Sequence, residues 1–339
     1  MKIALLTATF SKFSGIDRVV EMQAKKLASQ GHKVLILTLE SDLKLIKDSI
    51  KIINLKMPKN IFWQRIYRLL FFLDFKKINK AAELVRDYDK IYSHQYPMNL
   101  IALKAKNKFG AKYIYYNHGL APAETFNNLF EKIYIIIFRF LTNITAKKAD
   151  QAISISKYLS KILKKETGLE SDIIYDTIDK KKFNENLSGH KIRNKYNLNS
   201  NPIILYVGRI SPHKGIHLLI KAFNKVLKKV PKAHLLIVGK ETFSGYSNKL
   251  KSLSKKNVHF TGYVSDSDLP LYYAAADIYA SASLWEGFNL PLLEAQTCGL
   301  PVIVFDIGPH SEVIDKNGIL VDKKNIPAFA KALEIGIKK

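Results

Sequence analysis

Five consecutive apolar residues, Ile203 to Val207, end in a glycine and lead through a short basic loop into a helix-periodic stretch. An unbroken apolar run of strand length is a strand buried on both faces, which implies a parallel sheet covered by helices. Similar runs recur along the chain, each followed by helical periodicity. Strands are expected over 2–8, 33–39, 90–93, 112–117, 151–155 and 173–175, then over 203–207, 234–238, 258–260, 278–280 and 302–305. The helix after the first strand runs through Val19, Met22, Leu27 and Ala28 and stops near Gly31. Strands alternating with helices predict an α/β chain of two Rossmann-like, doubly wound domains facing a central cleft. At 339 residues, 47% of them apolar, the chain has the length and the core for two domains. The expected division is 1–183, a polar linker at 184–201, and 202–339.

The loop after the 203–207 run reads Gly208-Arg209-Ile210-Ser211-Pro212-His213-Lys214-Gly215. Glycine directly after a strand lets a ligand come close to the backbone. Arg209 offers a planar fork and Lys214 a mobile point charge, a pairing suited to a diphosphate. The alternative is two solvated cations in a basic chain. Downstream lies Glu286-Gly287-Phe288-Asn289-Leu290-Pro291-Leu292-Leu293-Glu294. Pro291 suits a first helical position, which places the N–H groups of Gly287, Phe288, Asn289 and Leu290 at a positive helix end. Carboxylates that accept hydroxyls, beside donors for phosphate, point to a sugar attached to a nucleoside diphosphate. An ordinary acidic helix start, with Glu294 solvated on its outer face, is the other reading. The two motifs together and in this order favour the donor site.

On these residues the chain resembles the retaining glycosyltransferases of family GT4, which have the GT-B fold. The marks are Gly208-Arg209-x4-Lys214-Gly215, Glu286-x7-Glu294, the segment Phe260-Thr261-Gly262-Tyr263-Val264, and Ala295-x2-Cys298-Gly299-Leu300-Pro301-Val302. The first half matches more weakly, through Gly15 and through His118-Gly119 after a strand. The resemblance implies transfer of a sugar from a nucleoside-diphosphate donor to a saccharide or lipid-linked acceptor, with retention at the anomeric carbon. It places the acceptor in the first domain and the donor in the second. It assigns Glu294 to the ribose hydroxyls and Glu286 to the sugar hydroxyls. Arg209, Lys214 and the N–H groups from Gly287 to Leu290 would hold the leaving diphosphate; Gly15, Gly208, Tyr263 and Val264 complete the donor set. His118 is expected beside the donor sugar, and with Arg209, Lys214 and Glu286 it makes up the catalytic set. His94 and His213 are expected to be structural or peripheral. No cofactor and no metal are expected, on the reading that the chain holds no Asp-x-Asp and no His/Cys cluster with ligand spacing. Three departures stand out: Asp176-Thr177-Ile178-Asp179 where an Asn-Gly-Val-Asp is common, Asn289 where glycine is frequent, and final helices that are short or missing.

The net charge of +25 draws the chain toward anions. Only seven of the 54 basic residues are arginines, and no helix-turn-helix, zinc-finger or aromatic RNA-binding pattern is present, so nucleic acid is not the expected partner. Residues 56–86 mix Phe62, Trp63, Leu70, Phe72 and Phe75 with Lys59, Arg65, Arg68, Lys76 and Lys80. Residues 130–148 do the same with 133–138 and Lys132, Arg139 and Lys147. Each stretch is either a basic helix lying on an anionic membrane surface or an amphipathic helix packed into a core. Neither holds the roughly 18 to 20 apolar residues of a bilayer span. Residues 1–6 read as a strand rather than a signal, and the lone Cys298, which excludes an internal disulfide, reads as a small buried side chain. A cytoplasmic enzyme, peripheral at the inner membrane face, is the resulting expectation. A catalytically silent nucleotide- or phosphate-binding protein of the same fold is the alternative, and a nucleic-acid-binding protein a more distant one.

Overall fold

A computed structural model describes residues 1–11, 15–42, 49–126, 128–241 and 244–338. The chain divides into two compact units, Met1–Asp176 and Thr177–Lys339. The first unit alternates β1 (Lys2–Phe10), α1 (Gly15–Ser29), β2 (Lys33–Ser41) and β3 (Ile50–Asn54). It continues with α2 (Ile61–Leu70), α3 (Phe75–Leu84), β4 (Lys90–Ser93), α4 (Met98–Phe109) and β5 (Lys112–Asn117). It closes with α5 (Leu129–Ala146), β6 (Gln151–Ser154), α6 (Lys157–Thr167) and β7 (Asp172–Ile173). Its strands form one all-parallel sheet in the order β3-β2-β1-β4-β5-β6-β7.

The second unit opens with α7 (His190–Lys195), β8 (Ile203–Val207), α8 (Ile216–Val226) and β9 (His234–Val238). There follow α9 (Ser244–Leu253), β10 (Val258–Gly262), α10 (Leu269–Ala275) and β11 (Ile278–Ser281). The last elements are α11 (Leu290–Thr297), β12 (Val302–Asp306), α12 (His310–Val313), β13 (Ile319–Asp322) and α13 (Ile326–Gly336). Its sheet, β10-β9-β8-β11-β12-β13, is also parallel throughout. In both sheets the order starts inside and reverses, between β1 and β4 and between β8 and β11. That reversal defines a doubly wound sheet and opens a crevice at the strands' carboxyl ends.

Burial follows from this layering. All five residues of β8 are buried, and so are four of five in β9 and in β12. Ile204 and Tyr206 face one core with α8 and α13, whereas Ile203, Leu205 and Val207 face another with α10 and α11. That alternation explains the unbroken apolar run, because a two-faced strand has no side left for polar residues.

Two strands lie beyond those read from sequence. β3 pairs with β2 at a sheet edge, and β13 pairs with β12 at the other sheet's edge. Edge strands are half exposed, so their polar admixture hides the pattern. Residues 184–201, expected to be a linker, carry α7 and belong to the second unit. Ile192 and Leu198 there are buried with Phe183 against Tyr272 and Tyr273. The last two apolar anchors were too widely spaced for periodicity to register. α2 has no buried residue at all, a departure from a core-packed amphipathic helix.

The core with α8 and α13 makes a direct prediction. Phe305 is fully buried and packs on Phe329 with ring centroids 4.8 Å apart. Phe305→Ala is expected to cost about 3–5 kcal/mol, read as a lower urea midpoint for the unfolding of the second unit.

Candidate functional site

The crevice between β8 and β11 gathers most of the polar residues singled out in the second half. β8 ends at Gly208, whose N–H still bonds the Val238 carbonyl, and the chain then turns through a short 3-10 segment, Pro212–Lys214. Gly215 follows with φ +62, and a Cβ there would lie 1.8 Å from the Ala282 carbonyl oxygen. The loops after β8 and β11 are therefore in backbone contact, and the Leu284 N–H donates to the His213 carbonyl at 2.8 Å. Only glycine permits this approach.

That contact places Lys214 over the β11 loop. Its Nζ lies 2.6 Å from Glu286 Oε2, and Ser283 Oγ donates to Glu286 Oε1 at 2.8 Å. Ser281 and Ser283 bond one another at 2.9 Å. Glu286 is only 6% exposed. Burial by itself would raise its pKa, but Lys214 and the Ser283 hydroxyl outweigh it and hold the carboxyl below its ordinary value. Glu286 is a charged carboxylate in a largely dry place. Each of its oxygens keeps a second lone pair, so both can accept further hydroxyls.

The turn into α11 is held by a second network. Asn289 adopts the left-handed conformation at φ 79, where asparagine replaces the glycine that such a turn usually requires. Its side chain lies 2.9 Å from His310 Nε2, while His310 Nδ1 lies 2.6 Å from the Phe305 carbonyl. A carbonyl can only accept, so Nδ1 carries the proton and Nε2 accepts from the Asn289 amide. Burial lowers the His310 pKa, which agrees with this neutral tautomer. Leu290 starts α11 with Pro291 in its first turn, as the sequence predicts. Gly287, Phe288, Asn289 and Leu290 are all buried.

Glu294 lies in α11 and is fully buried, its Oε2 accepting the Tyr273 hydroxyl at 2.7 Å. The solvated outer-face reading is therefore wrong. Arg209 is exposed, with its carbonyl accepting the Tyr206 hydroxyl at 3.2 Å. Tyr263 is exposed and Val264 half-buried, just past β10. Gly208 has φ +153, and a Cβ there would sit 2.8 Å from the Tyr206 hydroxyl.

His118 and Gly15 belong to the first unit. His118 follows β5 and is 7% exposed, not projecting freely. Its Nε2 lies 2.8 Å from Nδ1 of His94, which follows β4, and both rings stack with Tyr116. His94 Nε2 is buried without a partner. A bare acceptor is cheaper to bury than an orphaned N–H, so His94 carries its proton on Nδ1 and donates to His118. His118 is left with its proton on Nδ1. Burial pushes the His118 pKa down to about 3 and, with His118 as neighbour, lowers that of His94 too. Both rings are neutral at pH 7. Gly15 is the first residue of α1, with open space where a Cβ would lie, so contacts within the chain do not account for this glycine.

Ser283, His310 and Tyr273 escape the sequence reading, and His94, expected to be structural or peripheral, is the partner of His118. A Ser-x-Ser just past a strand was a usable signal for Ser283; the other three act across 21 to 24 residues and leave no local pattern. Among the described residues, no group of three or more His, Cys, Asp or Glu is placed to hold a metal. The chain does contain Asp-x-Asp spacings, at Asp87/Asp89 and Asp266/Asp268. Asp266 and Asp268 face Lys182 and Lys191 at 4.0 and 3.0 Å, and Asp89 accepts from the Lys2 N–H at 2.8 Å.

The ion pair yields a prediction. Glu286 has a depressed pKa when folded, so its charge adds stability above the ordinary carboxyl range, and this is lost as pH falls through the folded value. Lys214→Met strands a buried carboxylate and is expected to cost the ligand-free protein about 3 kcal/mol at neutral pH. The deficit should shrink on acidification as Glu286 takes up a proton, measured by urea unfolding across a pH series.

Comparison with known proteins agrees with this geometry. The profile for Glycosyltransferase Family 4 matches residues 13–182, and that for Glycosyl transferases group 1 matches residues 189–338. The putative glycosyltransferase YtcC of Bacillus subtilis is 34% identical over 42% of this chain, a match that spans 38% of its own length. An uncharacterized glycosyltransferase of Methanocaldococcus jannaschii is 26% identical over 97% of this chain and 87% of its own. Among solved structures, Anabaena HepE in complex with UDP and glucose superposes with a TM-score of 0.80 at 21% identity, covering 100% of this chain and 90% of that one. With a family profile across the first unit and a second across the other, the chain belongs to glycosyltransferase family 4.

Proposed function

We propose that the protein transfers a sugar from a nucleoside-diphosphate sugar to a saccharide or lipid-linked acceptor, with retention and without a metal. The observation that carries this reading is Glu286, kept charged by Lys214 at the point where the second sheet reverses its strand order. Breaking the sugar–phosphate bond leaves negative charge on the diphosphate and positive character at the anomeric carbon. Arg209 and Lys214, on one loop, supply the compensating positive charge that a metal would otherwise provide. N–H groups at the start of α11 add to it. Glu286 accepts donor sugar hydroxyls. Glu294 accepts ribose hydroxyls by sharing the oxygen that Tyr273 already uses. Gly208, Tyr263 and Val264 line the donor. His118, neutral and fixed by His94, orients hydroxyls through Nδ1 and does not act as a proton donor of imidazolium type. The family to which the chain belongs, and a structural relative solved with UDP and glucose, support this reading.

The test is a donor hydrolysis and transfer assay with EDTA present, using UDP-, GDP- and ADP-sugars. Wild type should remain active in EDTA with one donor class. Lys214→Ala and Glu286→Ala should each lose about a hundredfold or more in kcat. Activity abolished by EDTA refutes metal independence, and activity unchanged in both variants refutes the site. Thermal shift with UDP, GDP and ADP identifies the base; stabilisation by none of them removes the nucleotide-sugar reading altogether.

A further inference from the structure

α2 and α5 turn most of their large apolar side chains to solvent. A helix on a water-soluble surface buries its apolar stripe and exposes its polar one. In α2 the polar side chains make the attachments: Gln64 donates to Glu40 at 2.8 Å, Arg65 reaches Glu131 of α5 at 3.4 Å, and the Tyr67 hydroxyl donates to Asp74 at 2.8 Å. Meanwhile Phe62 and Trp63 are 56% and 58% exposed. α5 shares this in part. It buries Phe138 and Ala146 together with Thr142 and Thr145, and Thr145 accepts the Asn99 amide at 3.1 Å, while Phe130, Ile133, Ile137 and Phe140 stand in solvent at helical spacing. Seven exposed large apolar side chains lie on 61–75 and seven on α5, together most of those in the described chain. The Arg65–Glu131 pair and the Arg65 guanidinium over the Tyr134 ring join the two helices, so their exposed apolar residues belong to neighbouring surfaces. Isolated exposed apolar residues are ordinary; a face of this extent marks a contact surface.

Charge identifies what the face meets. Exposed Lys59, Lys76 and Lys80 lie next to the 61–75 apolar residues in the chain, and exposed Lys147 and Lys148 follow directly on α5. A second copy of the chain would bring two lysine rims together on a protein already at +25. An anionic bilayer neutralises the lysines while its acyl boundary accepts the aromatic and aliphatic side chains. No helix among the described residues is long and apolar enough to cross a membrane, so the contact lies along the surface. We infer that the α2–α5 face of the first unit is a docking surface for an anionic lipid bilayer. The inference rests on packing and charge, and stands whatever sugar chemistry the second unit performs.

Vesicle flotation tests it, with phosphatidylcholine vesicles against vesicles of phosphatidylcholine and phosphatidylglycerol. Wild type is expected to float with the mixed vesicles, less with neutral ones, and less as salt rises. Phe130→Ser with Phe140→Ser should weaken partitioning at least about tenfold with the far-UV circular dichroism unchanged, because both side chains are exposed. Independently of that variant, brominated lipids should quench Trp63 emission in the wild type, and Trp63→Phe should remove the quenched component. Failure of folded wild type to float with anionic vesicles overturns the proposal, as does a double variant that binds equally well. A dimer in sedimentation velocity that the double variant lacks, with no vesicle binding, assigns the face to a second copy instead.

Discussion

Glu286 is a carboxylate that burial should neutralise and its neighbours keep charged. That balance depends on Lys214 reaching it from another strand's loop, which depends in turn on two backbones touching at Gly215 and Ala282. The contact is possible because β8 and β11 are adjacent in the sheet although distant in sequence. Ser283 and the strand-capping geometry around it follow from the same approach. A replaced glycine at 215 would move the lysine, and the carboxylate would then lose the charge that compensates its burial.

The parts of this arrangement visible in sequence are the local ones. β4, β5, β8 and β9 fall where their apolar runs place them, and Pro291 marks the start of α11 as its fixed φ requires. Arg209, Lys214 and Glu286 are legible because charges beside glycine at strand ends are uncommon in a buried sheet. His310 was not, since its role comes from the Phe305 carbonyl and the Asn289 amide, neither of which constrains its neighbours in the chain. Glu294 was read as facing outward on one view and a ligand on the other, and its bond to Tyr273 of α10 could not be foreseen from either. His94 was set aside for lack of a nearby motif, yet its partner sits at the end of the adjacent strand.

The two units show how one sheet order serves different chemistry. At the reversal in the second unit, the strand ends present cations, a charged carboxylate and a helix start. At the reversal in the first, His94 and the buried Asp17 follow or border the central strands, and His118 stands one strand further out. Burial raises the Asp17 pKa to about 7, against hydrogen bonds from Ser11 and Thr9 that favour its charge. Asp17 is thus poised between its charged and neutral forms near pH 7, where Glu286 of the second unit stays charged. In the first unit, the bond from the Asn99 amide to Thr145 helps join α4 and α5 beside their buried apolar residues.

The strand order also governs the sequence of events during synthesis. β1 lies between β2 and β4, so it has a partner on only one side until the chain has been made past Ser93. β8 waits in the same way for β11. During that interval each future central strand has an unpaired edge of apolar residues, the condition under which chains associate wrongly. Two-sided pairing of each central strand therefore becomes available only when its unit's fourth strand in the chain has been made, and all strands of the first unit precede those of the second.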